Sequence, residues 1–572
     1  MSESRSLRYI LLGLIQGVLL WAVQRADTLP ADTAWRHALL ALLTLLPLLI
    51  YQSAESPWTP HRRALVVGTI SVLLALGTYW QGSTGTDASR PNYDSPALLG
   101  LLSWPLLTLA LLQGWNVERR RFDYTRLFEL AWRNTILLAL AASLVGLFWA
   151  ALWAGAWLLD SIGIATVKEL ISQSAFAFPA TCAAFGLAWA QGLMRSQAIN
   201  SVRRIWLGLN AWFFPLTIGF GLAWVIALPF TGLDTLFSTR QAAFLLLWFA
   251  LLSIKFCNAA WQDGREAPPY PAWLSFFLQW AQLCLLAVVA VAGMALQARI
   301  HQHGLSTDRI WAAYGVGLAS LYAIGYGLSV LPRWRAHGWM ACVGPTNTVV
   351  AAVGLIGALL LLSPVLDARQ LATRSQLARL EGGAIAPDQF DFATLAHRYG
   401  RFGREATEVL STRTGSARDL QIAALARAAL SAPCCGRAGT PVANGAEAVA
   451  SLRLWPRNAS LDPEFAARLS SPTADWRDAE CLRHAPRCLL WRVDLDGDRS
   501  PEIVMLHAGA ERTLGVYKRQ DGAWRYLGAY IAPTSGGFDA LAKSIEAGEV
   551  ELRPARLPDL VIGSRPASFS PN

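Results

Sequence analysis

Asn347-Thr-Val-Val-Ala-Ala-Val-Gly-Leu-Ile-Gly-Ala-Leu-Leu-Leu-Leu-Ser-Pro-Val-Leu366, followed at once by Asp367-Ala-Arg-Gln-Leu-Ala-Thr-Arg-Ser-Gln-Leu-Ala-Arg379, decides the fold. The first segment holds no charge over twenty residues, and about 20 apolar residues cross the ~30 Å of a bilayer's hydrocarbon. The second segment brings four charges in thirteen residues. A division therefore falls near residue 367. Residues 1–366 carry 23 Lys+Arg and 15 Asp+Glu, whereas residues 367–572 carry 26 and 24. Only the second part approaches the roughly 25% charge of an ordinary soluble domain.

Toward the N-terminus the apolar pattern repeats. Spans are expected at 7–24, 36–51, 64–81, 97–115, 134–159, 175–194, 206–228, 242–260, 273–297, 310–331 and 347–366, eleven in all. The second is short and carries Pro47. The first shows no cleavage signature and is read as a retained anchor. Trp is split 21 to 4 between the two parts, and residues such as Trp21, Trp80, Trp206 and Trp273 lie near span ends, where indoles favour the headgroup level. The expected fold class is an α-helical polytopic membrane bundle followed by a small α+β soluble domain. Its parts are a transmembrane domain over 1–366, a helical connector over 367–431 and a β-rich domain over 432–572.

Loop charges give an orientation. With the N-terminus cytoplasmic, the inside segments carry 15 basic residues and the outside loops 7. That excess follows the positive-inside rule. An odd number of spans then places residues 367–572 on the far side of the membrane, which in a Gram-negative bacterium is the periplasm. The +10 net charge is mostly this topology signal. No basic face is concentrated in the soluble part, which argues against a nucleic-acid partner. Cys182, Cys257, Cys284 and Cys342 fall in or beside spans and read as small apolar fillers. Cys434, Cys435, Cys481 and Cys488 lie in the soluble part. In an exported domain they allow two disulfides in three pairings, with vicinal Cys434 and Cys435 more easily each paired outward. In a reduced compartment they would be free thiols.

Intramembrane charges usually mark transport pathways, and few are present. Lys255 lies about two turns from a span end, so its stem can snorkel to the interface. Gln16, Gln191, Asn210, Gln279 and Gln282 suit interhelical hydrogen bonds. Pro215 and Pro229 are candidates to break the seventh span, and Pro179 the sixth. The segment 119–133 mixes Arg119, Arg120, Arg121, Arg126 and Arg133 with Phe122, Phe128 and Trp132. It reads as an amphipathic interfacial helix that leads into the fifth span and meets anionic headgroups of the lipid bilayer.

Five stretches stand out together: Phe122-Asp-Tyr-Thr-Arg-Leu-Phe-Glu-Leu-Ala-Trp-Arg-Asn134, Leu147-Phe-Trp-Ala-Ala-Leu-Trp153, Pro229-Phe-Thr-Gly-Leu-Asp234, Asn258-Ala-Ala-Trp-Gln-Asp263 and Gly304-Leu-Ser-Thr-Asp-Arg309. As a set they resemble a bacterial inner-membrane family catalogued as domain of unknown function 4153. The likeness spans most of residues 1–366 and continues into Tyr399-Gly-Arg-Phe-Gly-Arg-Glu405. It implies a multi-span membrane protein and no particular reaction. Locally, Ser306 or Thr307 before Asp308 suits a helix N-terminus, and Pro-Phe-Thr-Gly suits a turn at the outer surface.

In the soluble part, residues 367–380 read as an extension of the last helix. Residues 388–412 and 416–431 read as two more helices, the second ended by Pro433. Strands are expected at 488–493, 502–506, 513–518, 524–531 and 560–563. Gln520-Asp-Gly522 reads as a hairpin turn between two of them. The strongest chemical motif is Asp494-Leu-Asp-Gly-Asp-Arg-Ser-Pro-Glu502. Carboxylates at alternate positions converge when a loop curls, and Gly497 permits the sharp turn. Such loops hold Ca²⁺ through positions 1, 3, 5, 7 and 9, here Asp494, Asp496, Asp498, Ser500 and Glu502. An EF-hand would require Glu where Met505 stands. The bland alternative is an acidic turn capped by its own Asp side chains, with Arg499 as counter-ion. A bound Ca²⁺ would be structural, bracing two strands. No Ser/His/Asp, Cys/His or paired-carboxylate arrangement stands out, and Walker and dinucleotide glycine patterns are absent. A scaffold or sensor of the cell envelope is therefore expected rather than an enzyme. The alternative is a transporter or channel in which Lys255, Asn258 and Pro-broken spans line a cavity.

Overall fold

Helix length and exterior polarity place the first two thirds of the chain in a bilayer. In the computed structural model the described residues are 2–25, 33–54, 56–85, 95–116, 118, 120–233, 242–431, 445–470, 481–482, 487–507, 513–520, 522–531, 537–550, 560–562 and 565–567. Among them, eleven helical stretches are long and apolar enough to cross a membrane. They comprise α1 (Ser2–Arg25), α2 (Thr33–Ser53), α3 (Pro60–Ser83), α4 (Ser95–Gln113), α5 (Tyr124–Asp160) and, after a short α6 (Thr166–Ser172), α7 (Ser174–Met194). Next come α8 (Ser196–Ala211) with α9 (Phe213–Thr231), α10 (Ala242–Trp261), α11 (Ala272–Ala281) with α12 (Cys284–His303), α13 (Thr307–Gly327) and α14 (Val343–Leu361). Large apolar side chains face outward, among them Phe230 at 86% exposure and Leu158 at 70%. So wide an apolar exterior is stable only against lipid.

Several local expectations change. The fifth span begins earlier, because α5 runs unbroken from Tyr124 over 37 residues, with the Asp123 carboxylate accepting from the Arg126 N–H at 3.3 Å. Ahead of it, β1 (Trp115–Asn116) and β2 (Arg121–Phe122) pair antiparallel. Trp115 and Phe122 pack edge to face at 4.8 Å across that pair. Arg120 and Arg121 thus sit in a hairpin, not in an interfacial helix, and Arg119 lies outside the described residues. The sixth span is not broken, since α7 continues through Pro179. The seventh breaks at Trp212, between amphipathic α8 and apolar α9. Pro215 stands in the first turn of α9, where its missing N–H has no intrahelical partner to lose. Pro229-Phe-Thr-Gly232 forms the end of α9 rather than a separate turn. Gln16, Gln279 and Gln282 bond across to Leu43 O, Ser329 O and Tyr326 O at 2.9, 2.6 and 3.2 Å. Asn210 instead bonds within its own helix, to Trp206 O at 2.8 Å.

The last span does not extend out of the bilayer as one helix. After α14 a new helix, α15 (Ala368–Glu381), starts at Asp367, whose carboxylate accepts from the Arg369 and Gln370 N–H groups at 2.8 and 3.3 Å. The expected helix over 388–412 is split into α16 (Phe392–Arg398) and α17 (Gly400–Ser411), the second opening on Gly400 at φ +62°. α18 (Ala417–Ser431) follows. Two compact units result. One comprises Met1–Phe390 with Thr394–Ala406, the other Asp391–Ala393 with Thr407–Asn572. The residues read as a connector are divided between them.

In the second unit a five-stranded sheet has the order β3 (Arg453–Trp455), β4 (Cys488–Val493), β5 (Glu502–His507), β6 (Thr513–Gln520), β7 (Ala523–Ile531). β3 and β4 run parallel and the other neighbours antiparallel. β3 is three residues long, too short to show the alternation that announces a strand. Side chains alternate between two buried faces. Leu490, Ile503, Met505 and Tyr517 pack with Phe465 and Leu469 of α19 (Pro463–Ser470). Leu489 and Leu506 pack with Phe538, Ala542 and Ile545 of α20 (Gly537–Glu546). Cys481 and Cys488 form a disulfide within the first of these clusters. Outward pairing of the vicinal cysteines onto them is thereby excluded, because Cys481 lies seven residues from Cys488 and reaches the start of β4 directly. Cys434 and Cys435 lie outside the described residues.

Candidate functional site

The Asp494–Glu502 loop joins β4 to β5, which close on the pair Val493↔Glu502. Its carboxylates hold the loop's own backbone. Asp494 accepts from the N–H of Gly497 at 2.7 Å and of Arg499 at 3.0 Å, and Asp498 from that of Ser500 at 2.7 Å. Glu502 Oε2 accepts from the Leu495 N–H at 2.8 Å, and the residue is only 2% exposed. Gly497 takes φ +78° at the sharp turn. Met505 lies inside β5, so no twelve-residue EF-hand loop exists.

Asp494, Asp496 and Glu502 bring one carboxylate oxygen each within 4.8 Å of one another. Asp498 directs Oδ2 to Lys518 instead, and Ser500 is exposed. Lys518 was not legible as part of this group. Its ammonium bonds Asp496, lies 2.7 Å from Asp498 Oδ2 and stands 3.0 Å from Glu502 Oε1. The register explains its arrival. Ile503 pairs with Tyr517 across antiparallel β5 and β6, so Lys518 falls beside Glu502. The counter-ion is therefore Lys518, not Arg499, which turns through φ +65°. A signal did exist: the chain has only four lysines among 49 basic residues.

The Lys518 ammonium and the Ser500 N–H hold the Asp498 carboxyl below the usual carboxylate range. Asp496, Asp498 and Glu502 in turn push Lys518 above the usual lysine range. The Asp498 contribution to stability is present above its unfolded pKa and lost as pH falls through the lowered folded value. The Lys518 contribution is present below its unfolded pKa and lost as pH rises through the raised one. These two groups should therefore add no pH dependence to the melting of the second unit between about pH 5 and pH 10, with both of their limbs outside that window. In a pH series of melting curves, Asp498→Asn should flatten the acid limb.

In the membrane unit four polar side chains close on one another. Asn258 Nδ2 donates to Tyr326 Oη at 2.8 Å, which donates to Asn347 Oδ1 at 2.6 Å. Asn347 Nδ2 donates to Tyr124 Oη at 2.7 Å and also to Asn258 Oδ1. This ring ties α5, α10, α13 and α14 together, and satisfied polar networks of this kind rigidify a core. The Tyr124 and Trp261 rings lie 5.4 Å apart beside it. Lys255 is exposed, with Nζ 5.0 Å from the Phe256 ring centroid. At the start of α5, Arg121 and Arg265 share a cleft of about 300 Å³ with Asn116 and Asp123.

A family model described as Domain of unknown function (DUF4153) matches residues 18–397. The chain belongs to this family. The DUF4153 match runs from within α1 to α16, so it takes in the polar ring and ends just before Tyr399-Gly-Arg-Phe-Gly-Arg-Glu405. Two of the motifs that carried the resemblance, around Tyr124 and around Asn258, meet in the ring. A third, at Gly304–Arg309, starts α13, where the Ser306 hydroxyl accepts from the Arg309 N–H at 3.4 Å. No curated protein matches the chain, and no solved structure does.

Proposed function

We propose that this DUF4153 protein is a scaffold or sensor of the bacterial inner membrane, with a cytoplasmic N-terminus and a periplasmic C-terminal unit that binds Ca²⁺ at Asp494, Asp496, Asp498, Ser500 and Glu502. One observation carries the reading: a buried glutamate and two aspartates converge on a single ammonium supplied by the neighbouring strand. A loop built around one positive charge can exchange it for another, so Ca²⁺ enters as Lys518 withdraws. Two states then differ in whether β6 is tied to the loop, which is the bistable element a sensor needs. Extracellular calcium modules work at ~10⁻⁴–10⁻³ M, where a competing lysine is tolerable. The Cys481–Cys488 disulfide supports an oxidising compartment. Arg119, Arg120 and Arg121 meet anionic headgroups at the cytoplasmic face.

Transport gains less support. Asn258, which a transport pathway would expose, is engaged on both sides of its amide, and Lys255 faces outward.

Calorimetry on the full chain in detergent tests the exchange. Wild type should bind Ca²⁺ in the millimolar range. Lys518→Met should bind at least roughly tenfold tighter, since net ligand charge tunes such loops over decades of affinity, and Asp496→Ala should not bind. Absence of heat and of any melting shift in both wild type and Lys518→Met would overturn the calcium reading. Sidedness is checked separately by membrane-impermeant thiol labelling of single-cysteine variants in the second unit. Labelling is expected in cells with an intact inner membrane; labelling only after that membrane is broken reverses the topology.

A further inference from the structure

A second charged site lies in the membrane unit, where the first turns of α5 meet the end of α7 and the start of α8. The cavity there has a volume of about 360 Å³. Arg126 and Arg133 reach it from α5 and Arg203 from α8, against the single carboxylate of Glu129. Ser196 and Asn200, two turns and one turn ahead of Arg203, add a hydroxyl and an amide on the same side of α8. The α8 N-terminus opens here through Ser196, and no side chain caps it. Uncapped first-turn N–H groups and the helix dipole favour an anion. The floor is apolar: Leu137 is 1% exposed and Ile199 5%. The Arg203 guanidinium lies 5.9 Å from the Phe128 ring centroid, which holds it at the cavity edge.

Depth follows from length. The 37 residues of α5 reach about 55 Å at 1.5 Å per residue, well beyond the ~30 Å of hydrocarbon. From Asn134 to Leu159 the helix carries no charge, whereas Arg126, Glu129 and Arg133 all precede that run. The cavity therefore stands at the headgroup level, with its basic residues toward water and its apolar floor toward the acyl region.

We propose that this cavity binds the phosphate of an anionic phospholipid headgroup, with Arg126, Arg133 and Arg203 as the charged ligands and the first turn of α8 as a further donor. A guanidinium matches phosphate with paired N–H donors, and the apolar floor accommodates the first carbons of the lipid. The assignment uses other residues than the hairpin arginines and holds on either side of the membrane, so it stands or falls independently of the calcium and topology readings.

The test uses the full chain purified in detergent, with melting temperature and direct binding measured against three probes: phosphatidylglycerol, phosphatidylcholine and inorganic phosphate. Saturable stabilisation by phosphatidylglycerol and not by phosphatidylcholine is expected. The double variant Arg126→Gln/Arg203→Gln should bind phosphatidylglycerol at least tenfold more weakly, while Arg333→Gln, at an exposed arginine outside both this cavity and the hairpin, should bind it like wild type. Arg203→Lys serves as a second variant that keeps the charge, and it should lose less than Arg203→Gln. Equal phosphatidylglycerol binding by the double variant and wild type would overturn the site. Binding of inorganic phosphate without phosphatidylglycerol would overturn the lipid as its source.

Discussion

Glu502→Ala should destabilise the C-terminal unit by about 2 kcal/mol, from the Leu495 N–H left without its acceptor and the space opened under the loop. Glu502 is 2% exposed, and its two oxygens do separate jobs. Oε2 takes the Leu495 N–H and closes the loop onto the strand; Oε1 faces the Lys518 ammonium at 3.0 Å. Alanine removes both and opens a cavity under the loop. Glu502→Gln keeps an acceptor for Leu495 and loses only the charge, so it should cost roughly half as much. Hydrogen exchange of peptides covering β4 to β6 in the full chain reads the loss locally, without interference from the membrane unit. A change below about 1 kcal/mol for Glu502→Ala would mean that the loop is held by its aspartate turns alone.

What could be read in advance depended on range along the chain. Spans announce themselves because each apolar run is continuous, so all eleven were legible, although the fifth and seventh helical stretches begin ten residues before the apolar runs that announced them. Strands β4 to β7 were legible because alternation is local; the expected Gln520-Asp-Gly522 turn includes residue 521, which lies outside the described residues. The Asp494–Glu502 loop was legible as a pattern of five residues, yet its central partner was not: Lys518 reaches it through strand register, and pairing between β5 and β6 leaves no mark in either strand by itself. The polar ring was hidden for the same reason. Asn258 was visible as a polar residue in a span, but Tyr124, Tyr326 and Asn347 come from three other helices. The break of the 388–412 helix was hidden differently. Leu395, Tyr399, Phe402 and Ala406 keep helical spacing across it, and only the left-handed backbone at Gly400 interrupts the helix.

That glycine carries the second large expectation. Gly400→Val should detach the Tyr399-Gly-Arg-Phe-Gly-Arg-Glu405 segment from the end of α3. At φ +62°, a Cβ on residue 400 would lie 2.0 Å from the Thr84 carbonyl oxygen and 3.2 Å from Arg369 Nη1. The approach cannot relax cheaply, because the same carbonyl accepts the Arg401 N–H at 2.9 Å. Around that bond the Arg401 guanidinium lies 5.2 Å from the Trp80 ring, Phe402 packs 6.3 Å from Trp80, and the Trp80 indole donates to the buried Asp367 at 2.8 Å. Backbone strain of a β-branched residue in the left-handed region adds to the loss of a buried hydrogen bond, together about 3 kcal/mol or more. Gly400→Ala should be nearly as damaging, since the clash is with Cβ itself. Arg401→Ala removes only the cation–π contacts with Trp80 and Phe402 and should cost about 1 kcal/mol. Limited proteolysis between residues 394 and 411 in the full chain should rise sharply for both glycine variants and little for Arg401→Ala. If valine at 400 leaves the protection unchanged, the segment is held by its hydrophobic side chains and the Thr84 carbonyl plays no part in docking it.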